Sequence, residues 1–520
     1  MEKINFLVIG IDGACWPLIS ELIDSGKLPN IKNLRENGVW GDMKSCIPPI
    51  TCPAWKCYST GKNPGKLGVF WWEYLDIKNK KSIIPNSRSF DSKEVWDYLN
   101  DKGYKTGIIG MPTTYPPKKV DGFMISGAPG AENKGYTYPS ELEKELEEKF
   151  GYDPNPNIFS VLSPTETENR EKIISESLKH IESNFKISEF LYDTKKPDFL
   201  QVCTFTINGP IQHFFYNDDP TIKAWEIVDK YIGRLKDRFD YILIHSDHGT
   251  SPMIKQFFIN AWLKKEGYLF NKKNIGDIFT KLGIHKINKI IDKLNLSDFL
   301  WNFNITRSIT RFVPDKHGLF GETEGTAIFQ MVDWDKTKIV GSAQGPLYVN
   351  NSIMTEDEIN NLKEEIITKL ESFKDPETGK NPIKKVYRSE EIYSGKYAKK
   401  GPDLVALDSD EYHNKGGIGI DTLFSKSLWK GNNALYGMYL ISGDGIKKGE
   451  KIDIDIYDLA PTILHIFNIP IPLDMDGKVI KGGFEGKLFS RRINFHDDKT
   501  QSEKRLIRDI IKKKGIRDDG

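Results

Sequence analysis

The amino-acid sequence predicts an α/β fold built on a doubly wound, mainly parallel sheet, with a mostly helical inserted lid and an α+β stretch before the last strand. Three observations lead to this prediction: short apolar segments that stop abruptly, helical patterns between them, and a late stretch of different composition. The chain has 520 residues, enough for one large domain with insertions or for two to three domains.

Five apolar segments rich in Ile, Val, Leu and Phe end at glycine or polar residues. They are NFLVIGID (5–12), TGIIGM (106–111), DFLQVCTF (198–205), DYILIHSDHG (240–249) and GMYLISGDG (437–445). Their hydrophobicity is continuous rather than alternating, which is typical of strands buried on both faces of a parallel sheet.

Helical patterns separate these segments, at 92–103, 170–193 and 221–239. Such alternation of strands and helices favours a doubly wound sheet. Ligands of these sheets bind just beyond the carboxyl ends of the strands. Asp12 and the pair Asp247–His248 both follow predicted strands, so we expect a functional site at that edge.

The prediction divides the chain into four parts. Residues 1–261 and 431–485 form the core, and residues 262–330, rich in Lys and Asn, form the helical lid. Residues 331–430 form an α+β subdomain. The charged segment 486–520 is a C-terminal tail, which we expect to be solvated or loosely docked.

Composition limits the possible partners. Lys plus Arg number 74 and Asp plus Glu 73, a formal net charge of +1, so nucleic acid is not an expected partner. The five cysteines form no CxxC pair and are expected to be reduced thiols. With neither a secretory signal nor an apolar run long enough for a membrane span, we predict a cytoplasmic protein. The oligomeric state is not indicated.

The segment PPITCPAW (48–55) places Thr51 directly before a predicted helix. One interpretation is structural, with the Thr51 hydroxyl capping the helix and Pro53 in its first turn. The other adds chemistry: free amides and the helix dipole stabilise an anionic phosphate there, and a divalent cation activates the hydroxyl.

Several metal-ligating side chains follow predicted strands. Asp12 ends the first strand, Asp247 and His248 lie in the SDHG segment, and His213 follows another strand in NGPIQHFF. The SDHG segment alone is also compatible with a simple turn. Carboxylates and imidazoles gathered at one sheet edge suit zinc, manganese or a similar ion, so the combination with Thr51 favours a metal site.

The motifs GIDG (10–13), PPITCPAW…STGKNPGK (48–66), QHFF (212–215) and SDHG (246–249) together resemble the alkaline phosphatase superfamily. The sequence is most similar to phosphohydrolases of the type I phosphodiesterase/nucleotide pyrophosphatase kind. Later segments that extend the resemblance nearly end to end are 258–269, 332–337, 393–405 and 458–480.

In that family an Asp after the first strand, a Thr or Ser nucleophile and an Asp–His pair hold one divalent metal. The resemblance therefore implies that Asp12, Thr51, Asp247 and His248 hold a cation, zinc or manganese, and that Thr51 is the nucleophile.

The resemblance also implies a second metal, held by an Asp, by a His four residues later and by a late His. This sequence keeps His213 but has Gly209 at the Asp position, beside Asn208, and Asn433 at the late His position. Amides are poor substitutes for carboxylate and imidazole, so we expect one or two cations per chain, with the second site, on His213, weak or empty.

Other residues near these motifs are weaker candidates. Three residues are candidates for substrate binding. Asn208 would contact a phosphate oxygen, Cys52 lies in the first turn of the predicted helix, and Lys66 would attract an anion. His317 and His413 are candidate replacements in the second metal site, although a generic surface histidine is the favoured interpretation of each.

The leading functional hypothesis is a metal-dependent hydrolase of small phosphate esters. One alternative is a single-metal phospho- or sulfotransferase or sulfatase. Another is a catalytically weakened homologue that binds a phosphorylated ligand or a partner protein, an alternative raised by Gly209 and Asn433.

Overall fold

A computed structural model describes residues 3–90, 92–156, 167–272, 324–427 and 429–497. Strands within these ranges are numbered in chain order. They are β1 (Phe6–Ile11), β2 (Val39–Lys44), β3 (Tyr74–Asp76), β4 (Lys81–Ile83), β5 (Thr106–Met111), β6 (Gly122–Ser126), β7 (Thr137–Tyr138), β8 (Phe199–Thr204), β9 (Tyr241–His245), β10 (Gly249–Phe258), β11 (Ile339–Gly341), β12 (Pro346–Val349), β13 (Ile383–Arg388), β14 (Leu404–Asp408), β15 (Glu411–Lys415), β16 (Phe424–Lys426), β17 (Gly431–Ala434), β18 (Tyr436–Gly443), β19 (Glu450–Lys451), β20 (Ile454–Asp455), β21 (Ile471–Pro472) and β22 (Phe495–His496).

Helices within the same ranges connect and cover these strands. They are α1 (Trp16–Asp24), α2 (Pro29–Glu36), α3 (Thr51–Thr60), α4 (Pro64–Leu67), α5 (Val95–Asp101), α6 (Glu141–Phe150), α7 (Thr167–Lys195), α8 (His213–Phe215), α9 (Asp219–Leu235), α10 (Ile259–Lys265), α11 (Glu324–Met331), α12 (Glu356–Ser372), α13 (Ser389–Ile392), α14 (Leu459–Ile466) and α15 (Gly486–Ser490). None of those described combines the length and apolar character needed to cross a membrane.

The central sheet contains ten of the described strands, in the order β19-β2-β18-β9-β1-β8-β5-β6-β7, with β20 also paired to β2. Strands β9, β1, β8, β5 and β6 lie side by side and run parallel to one another. All five apolar segments of the sequence lie in this sheet, which confirms the predicted fold class.

The sheet departs from the prediction at one side. Strand β18 runs antiparallel to both β9 and β2, although its continuous apolar sequence resembles that of the parallel strands. Burial on both faces produces the same sequence pattern in either direction, so the pattern did not reveal the orientation. Strand β2 has the alternating burial of a half-covered strand, and the sequence analysis did not predict it.

Residues of β1 alternate between two apolar cores, one on each face of the sheet. Phe6 and Val8 pack into the core that contains residues of α3, α5 and α14, whereas Leu7 and Ile9 pack into the core that contains residues of α1, α2, α7 and α9. Because both faces are covered, the ends of the central strands are also shielded from water.

Two smaller sheets lie late in the chain. One has the order β15-β10-β16, with β17 also paired to β10, and the other has the order β11-β12-β14-β13. The second sheet falls within the predicted α+β subdomain. Most of the predicted helical lid, 273–323, and most of the predicted tail, 498–520, lie outside the described residues. The predicted part boundaries therefore stay predictions.

A buried ion cluster ties α3 to the start of α5. Lys56 Nζ lies 2.7 Å from Glu94 Oε1, and Lys118 Nζ lies 2.7 Å from Glu94 Oε2. The side chains of Lys56 and Glu94 are only 2% and 6% exposed. Burial by itself would raise the pKa of Glu94, but the ammonium groups of Lys118 and Lys56 outweigh it and lower that pKa to about 2.

We expect Glu94→Gln to lower the free energy of unfolding by about 3 kcal/mol, because it leaves the buried Lys56 ammonium without its anion. Urea unfolding at neutral pH measures this. The matched control, Asp101→Asn, removes the exposed partner of Lys93 and should cost less than about 1 kcal/mol. Since the folded pKa of Glu94 lies below its ordinary 4.5, its stabilisation is full above that value and is lost as the pH falls toward 2.

Candidate metal centre and nucleophile

The carboxyl ends of β1 and β9 bring Asp12, Asp247 and His248 together. The two strands are parallel neighbours with Gly10 opposite His245, so the residues that follow each strand leave the same edge of the sheet. Asp12 and His248 are each fully buried, as is Asp247. The sequence prediction that these three residues lie together at one sheet edge agrees with this geometry.

One potential ligand atom from each residue lies within 4.8 Å of the others. His248 Nε2 lies 3.2 Å from Asp247 Oδ2 and 3.8 Å from Asp12 Oδ1. Within the described parts of the chain, this is the one group of three His, Cys, Asp or Glu residues close enough to share an ion.

The directions of the hydrogen bonds show what these atoms offer. His248 Nδ1 lies 2.9 Å from the Gly249 carbonyl oxygen, which only accepts, so Nδ1 carries the hydrogen and Nε2 presents a lone pair. Asp247 Oδ2 is buried and accepts no hydrogen bond from a described residue. Lone pairs of His248 Nε2 and Asp247 Oδ2 therefore converge at a buried position, an arrangement that fits a divalent cation.

The electrostatics of the group agree with that fit. Burial and the neighbouring Asp247 carboxylate raise the pKa of Asp12 well above its usual range. Burial raises the pKa of Asp247 to about 7, and burial lowers that of His248. Two carboxylates that are buried next to each other cannot both stay ionised unless a positive charge lies beside them.

Surrounding groups fix the orientation of both carboxylates. Asp12 Oδ2 accepts from Trp55 Nε1 at 3.1 Å, and Asp12 Oδ1 accepts from Asn208 Nδ2 at 2.9 Å. Asp247 Oδ1 accepts from the Gly13 amide at 3.1 Å. Orienting partners of this kind set how a carboxylate meets a metal.

Thr51 lies beside this group. It is the first residue of α3, it is 4% exposed, and its Oγ1 lies 3.2 Å from His248 Nε2. The capping interpretation of Thr51 is wrong, because Ile50 occupies the N-cap position and no side chain caps the helix. At the first helical position the hydroxyl is free to face His248 instead.

At the second predicted metal position, side chains bond to each other instead of presenting converging lone pairs. His213 Nε2 lies 3.1 Å from Asn433 Oδ1, and the Asn433 amide nitrogen donates to the Pro49 carbonyl at 3.1 Å. Burial and the nearby His248 ring lower the pKa of His213 to about 3, so this imidazole is neutral. The structure thus places His213 and Asn433 together, as the resemblance implied, but bound to each other.

Asn208 contacts Asp12 directly. The Cys52 side chain is fully buried, and burial raises its pKa. Lys66 Nζ lies 2.6 Å from Asp476 Oδ1 and donates to the Asp474 carbonyl. Roles in substrate binding for these residues stay predictions.

Of the two alternative histidines, the structure describes His413. His413 is not the surface residue predicted, because it is 2% exposed and its Nδ1 bonds Asn432 Oδ1 at 2.7 Å. The sequence alone could not show this, since burial comes from packing against Trp429. His317 lies outside the described residues.

Sequence reasoning missed Trp55, Gln212 and Thr250. A signal for Trp55 existed: it follows Thr51 by four residues, so both occupy one face of a helix. Gln212 contacts Asn208 Oδ1 at 3.1 Å and follows it by four residues, so the same helical spacing was available as a signal. Thr250 contacts Asn208 Oδ1 at 2.9 Å from a distant part of the chain, and no spacing in the sequence indicates that contact.

The sequence model of the type I phosphodiesterase/nucleotide pyrophosphatase family matches residues 6–433. Among curated proteins, none matches this chain by sequence.

Two solved structures share the fold. Wild-type alkaline phosphatase PafA is 14% identical with a TM-score of 0.57, over 94% of this chain and 100% of that one. Phosphonoacetate hydrolase from Sinorhizobium meliloti 1021, in complex with phosphonoformate, is 12% identical with a TM-score of 0.51, over 88% and 94% of the two chains. At these identities the likeness shows the fold alone.

Gly13 is the position where the site leaves no room for a side chain. It has φ +67, and a Cβ there would lie 2.4 Å from the Asn208 side chain. We expect Gly13→Ala to lower the free energy of unfolding by about 2 to 3 kcal/mol, through backbone strain and displacement of Asn208.

The matched control is Gly26→Ala, where φ is +78 but nothing lies within 4 Å of a Cβ. This variant isolates the backbone strain, which should cost about 1 kcal/mol. Chemical denaturation of both variants checks the prediction. Equal losses at the two positions would show that the close approach to Asn208 has no energetic weight.

Proposed function

Since the chain belongs to the type I phosphodiesterase/nucleotide pyrophosphatase family, whose model matches residues 6–433, we propose that it hydrolyses small phosphate esters with Thr51 as the nucleophile. The observation that carries the proposal is the Thr51 hydroxyl at the N-terminus of α3, with Oγ1 3.2 Å from His248 Nε2 and His248 in turn beside Asp12 and Asp247.

Asp12, Asp247 and His248 would hold the divalent cation, zinc or manganese. When bound, such a cation supplies positive charge that favours the alkoxide form of a nearby hydroxyl and offsets negative charge on a phosphoryl group. The converging lone pairs and the raised pKa values of the two carboxyl groups support this assignment.

Thr51 would act by nucleophilic attack. Its hydroxyl would lose its proton as the oxygen forms a bond to phosphorus and the ester bond to the alcohol breaks, and the leaving alkoxide takes up a proton to become the free alcohol. Water would then attack the phosphothreonine. The Thr51 oxygen leaves and regains a proton, and the phosphate product keeps the oxygen of the water.

The first turn of α3 would stabilise the anion. The backbone amides of Thr51 and Cys52 have no acceptor within the helix, and the helix dipole is positive at this end. The Asn208 amide already bonds Asp12, so its contribution is to hold that carboxylate in place.

A cleft near the start of α3 is a candidate place for the leaving group, although its lining does not include Thr51 or the proposed metal ligands. It lies between Pro49 and Ile50, which directly precede Thr51, and the turn that joins β14 and β15. Its polar lining residues are Ser251, Gln344, Lys384, Asp408, Ser409, Asp410, Asn432 and Asn433. These groups suit a leaving group that forms hydrogen bonds.

A second candidate function is a weakened homologue that binds a phosphorylated ligand without turning it over. The bond between His213 and Asn433 favours it, because neither residue then stands ready to assist catalysis. Transfer of the phosphoryl or sulfuryl group to another alcohol is a variant of the same attack. Product analysis separates transfer from hydrolysis.

We expect Thr51→Ala to lower kcat for bis(p-nitrophenyl) phosphate by a factor of at least about 1,000, because it removes the attacking oxygen. Thr51→Ser keeps a hydroxyl and should retain most of the activity. The assay uses zinc- or manganese-loaded protein with a panel of phosphate and sulfate esters. Equal rates for wild type and Thr51→Ala would exclude this nucleophile, and no turnover of any ester by loaded wild type would favour the binding function.

We expect Zn²⁺ or Mn²⁺ at about 100 times its Kd to stabilise wild type by about 2.7 kcal/mol. Asp247→Asn should abolish this shift, because it removes a ligand, while relieving buried charge in the metal-free protein. Asp408→Asn is the matched control, since burial also raises the pKa of that carboxyl to about 7 outside the metal group. Thermal unfolding with and without metal measures the shift, and a metal effect that survives in Asp247→Asn contradicts the assignment.

A further inference from the structure

The second metal position keeps its place in the fold but not its ligands. The resemblance assigns it to positions 209, 213 and 433, which hold Gly209, His213 and Asn433. Position 209 lies in the π-helical turn Ile207–Gln212 that leads into α8, where His213 is the first residue. The 3.1 Å contact of His213 with Asn433 shows that the two positions still meet.

The orientation of Asn433 is set by an acceptor-only group. The Pro49 carbonyl oxygen can only accept, so the Asn433 atom 3.1 Å from it is the amide nitrogen. The Asn433 oxygen then faces His213 Nε2, which must carry a hydrogen to donate to it. A protonated ring nitrogen has no lone pair for a cation, so Nε2 of His213 is not a metal ligand in this arrangement.

A donor-only group sets the orientation of Asn208 in the same way. The indole N–H of Trp225 can only donate, and it lies 3.1 Å from Gln212 Oε1. The Gln212 amide nitrogen therefore faces Asn208 Oδ1, at 3.1 Å. The Asn208 amide nitrogen is left to face Asp12 Oδ1, at 2.9 Å.

The resulting clamp on Asp12 consists of Asn208, Gln212 and Thr250, which are 1%, 0% and 2% exposed. Thr250 Oγ1 also lies 2.9 Å from Asn208 Oδ1, so that oxygen already has two partners. To ligate a cation, Asn208 would have to turn over and break several buried hydrogen bonds, each of which is costly to leave unmade.

Charge balance points the same way. One divalent cation neutralises the two carboxylates of Asp12 and Asp247. Among the described residues, no further carboxylate lies close enough to share this group, so a second divalent cation would add two uncompensated charges to a buried place.

We infer that this chain binds a single divalent cation, and that the position of the second is occupied by two hydrogen-bond chains, Trp225–Gln212–Asn208–Asp12 and Pro49–Asn433–His213. The Asn208 N–H group thereby presents partial positive charge to Asp12. This inference rests on the metal site of the proposed function and adds the reason why the chain would bind one cation rather than two.

The test is the metal content of the full chain after zinc or manganese loading and dialysis. Wild type should hold one equivalent per chain, and its Mn²⁺ spectrum in electron paramagnetic resonance should lack spin coupling. Gly209→Asp combined with Asn433→His should raise the content to two equivalents and produce coupling. The His213→Gln variant should also hold one equivalent, as wild type does. This comparison keeps the test decisive if the double variant fails to fold.

Two equivalents in wild type, with one lost in His213→Gln, would overturn the inference. So would a folded double variant that stays at one equivalent, because residues 209 and 433 would then not explain the stoichiometry. A wild-type content of zero would instead overturn the metal site of the proposed function, and Asp247→Asn provides the reference for that outcome. Loss of hydrolysis in Thr51→Ala at unchanged metal content tests the nucleophile separately.

Discussion

Two carboxylates buried at the tips of neighbouring parallel strands impose the constraint on which this site depends. β1 and β9 run side by side between two apolar cores, so Asp12 and Asp247 emerge at one edge without access to water. Negative charge in such a place must be neutralised by protons, by hydrogen-bond donors or by a cation. The lone pairs of His248 Nε2 and Asp247 Oδ2, 3.2 Å apart, favour the cation.

Helix α3 contacts the same group of residues twice. Thr51 begins α3 and faces His248, while Trp55, one turn later, donates its indole N–H to Asp12. On the opposite side, Lys56 is held by Glu94 in a buried ion pair. A shift of α3 would therefore disturb the Thr51 hydroxyl and the Asp12 carboxylate together, which couples the positions of these two groups.

At the predicted second metal position, the directions of the hydrogen bonds, rather than the path of the backbone, determine which atoms the side chains present. The fold is shared with phosphatase and phosphonoacetate hydrolase structures at 12–14% identity, so the path of the chain tolerates wide change in sequence. The donor-only indole of Trp225 and the acceptor-only carbonyl of Pro49 determine which end of each amide reaches Asp12 and His213. The same backbone can thus present a different ligand set.

The sequence by itself determined the doubly wound core, because continuous apolar segments that end at polar residues are typical of strands buried in such a sheet. It also predicted that Asp12, Asp247 and His248 lie together at one sheet edge, because each follows a predicted strand. It did not reveal the antiparallel direction of β18, since burial on both faces yields one pattern for either direction. Tertiary structure alone decided that Thr51 faces His248 rather than capping its helix, and that His413 is buried. It also decided the clamp on Asp12, because Thr250 and Asp12 reach Asn208 from distant segments, and hydrogen bonds between such segments leave no periodic trace in the sequence. Helical spacing could have indicated only the contact between Asn208 and Gln212, which are four residues apart.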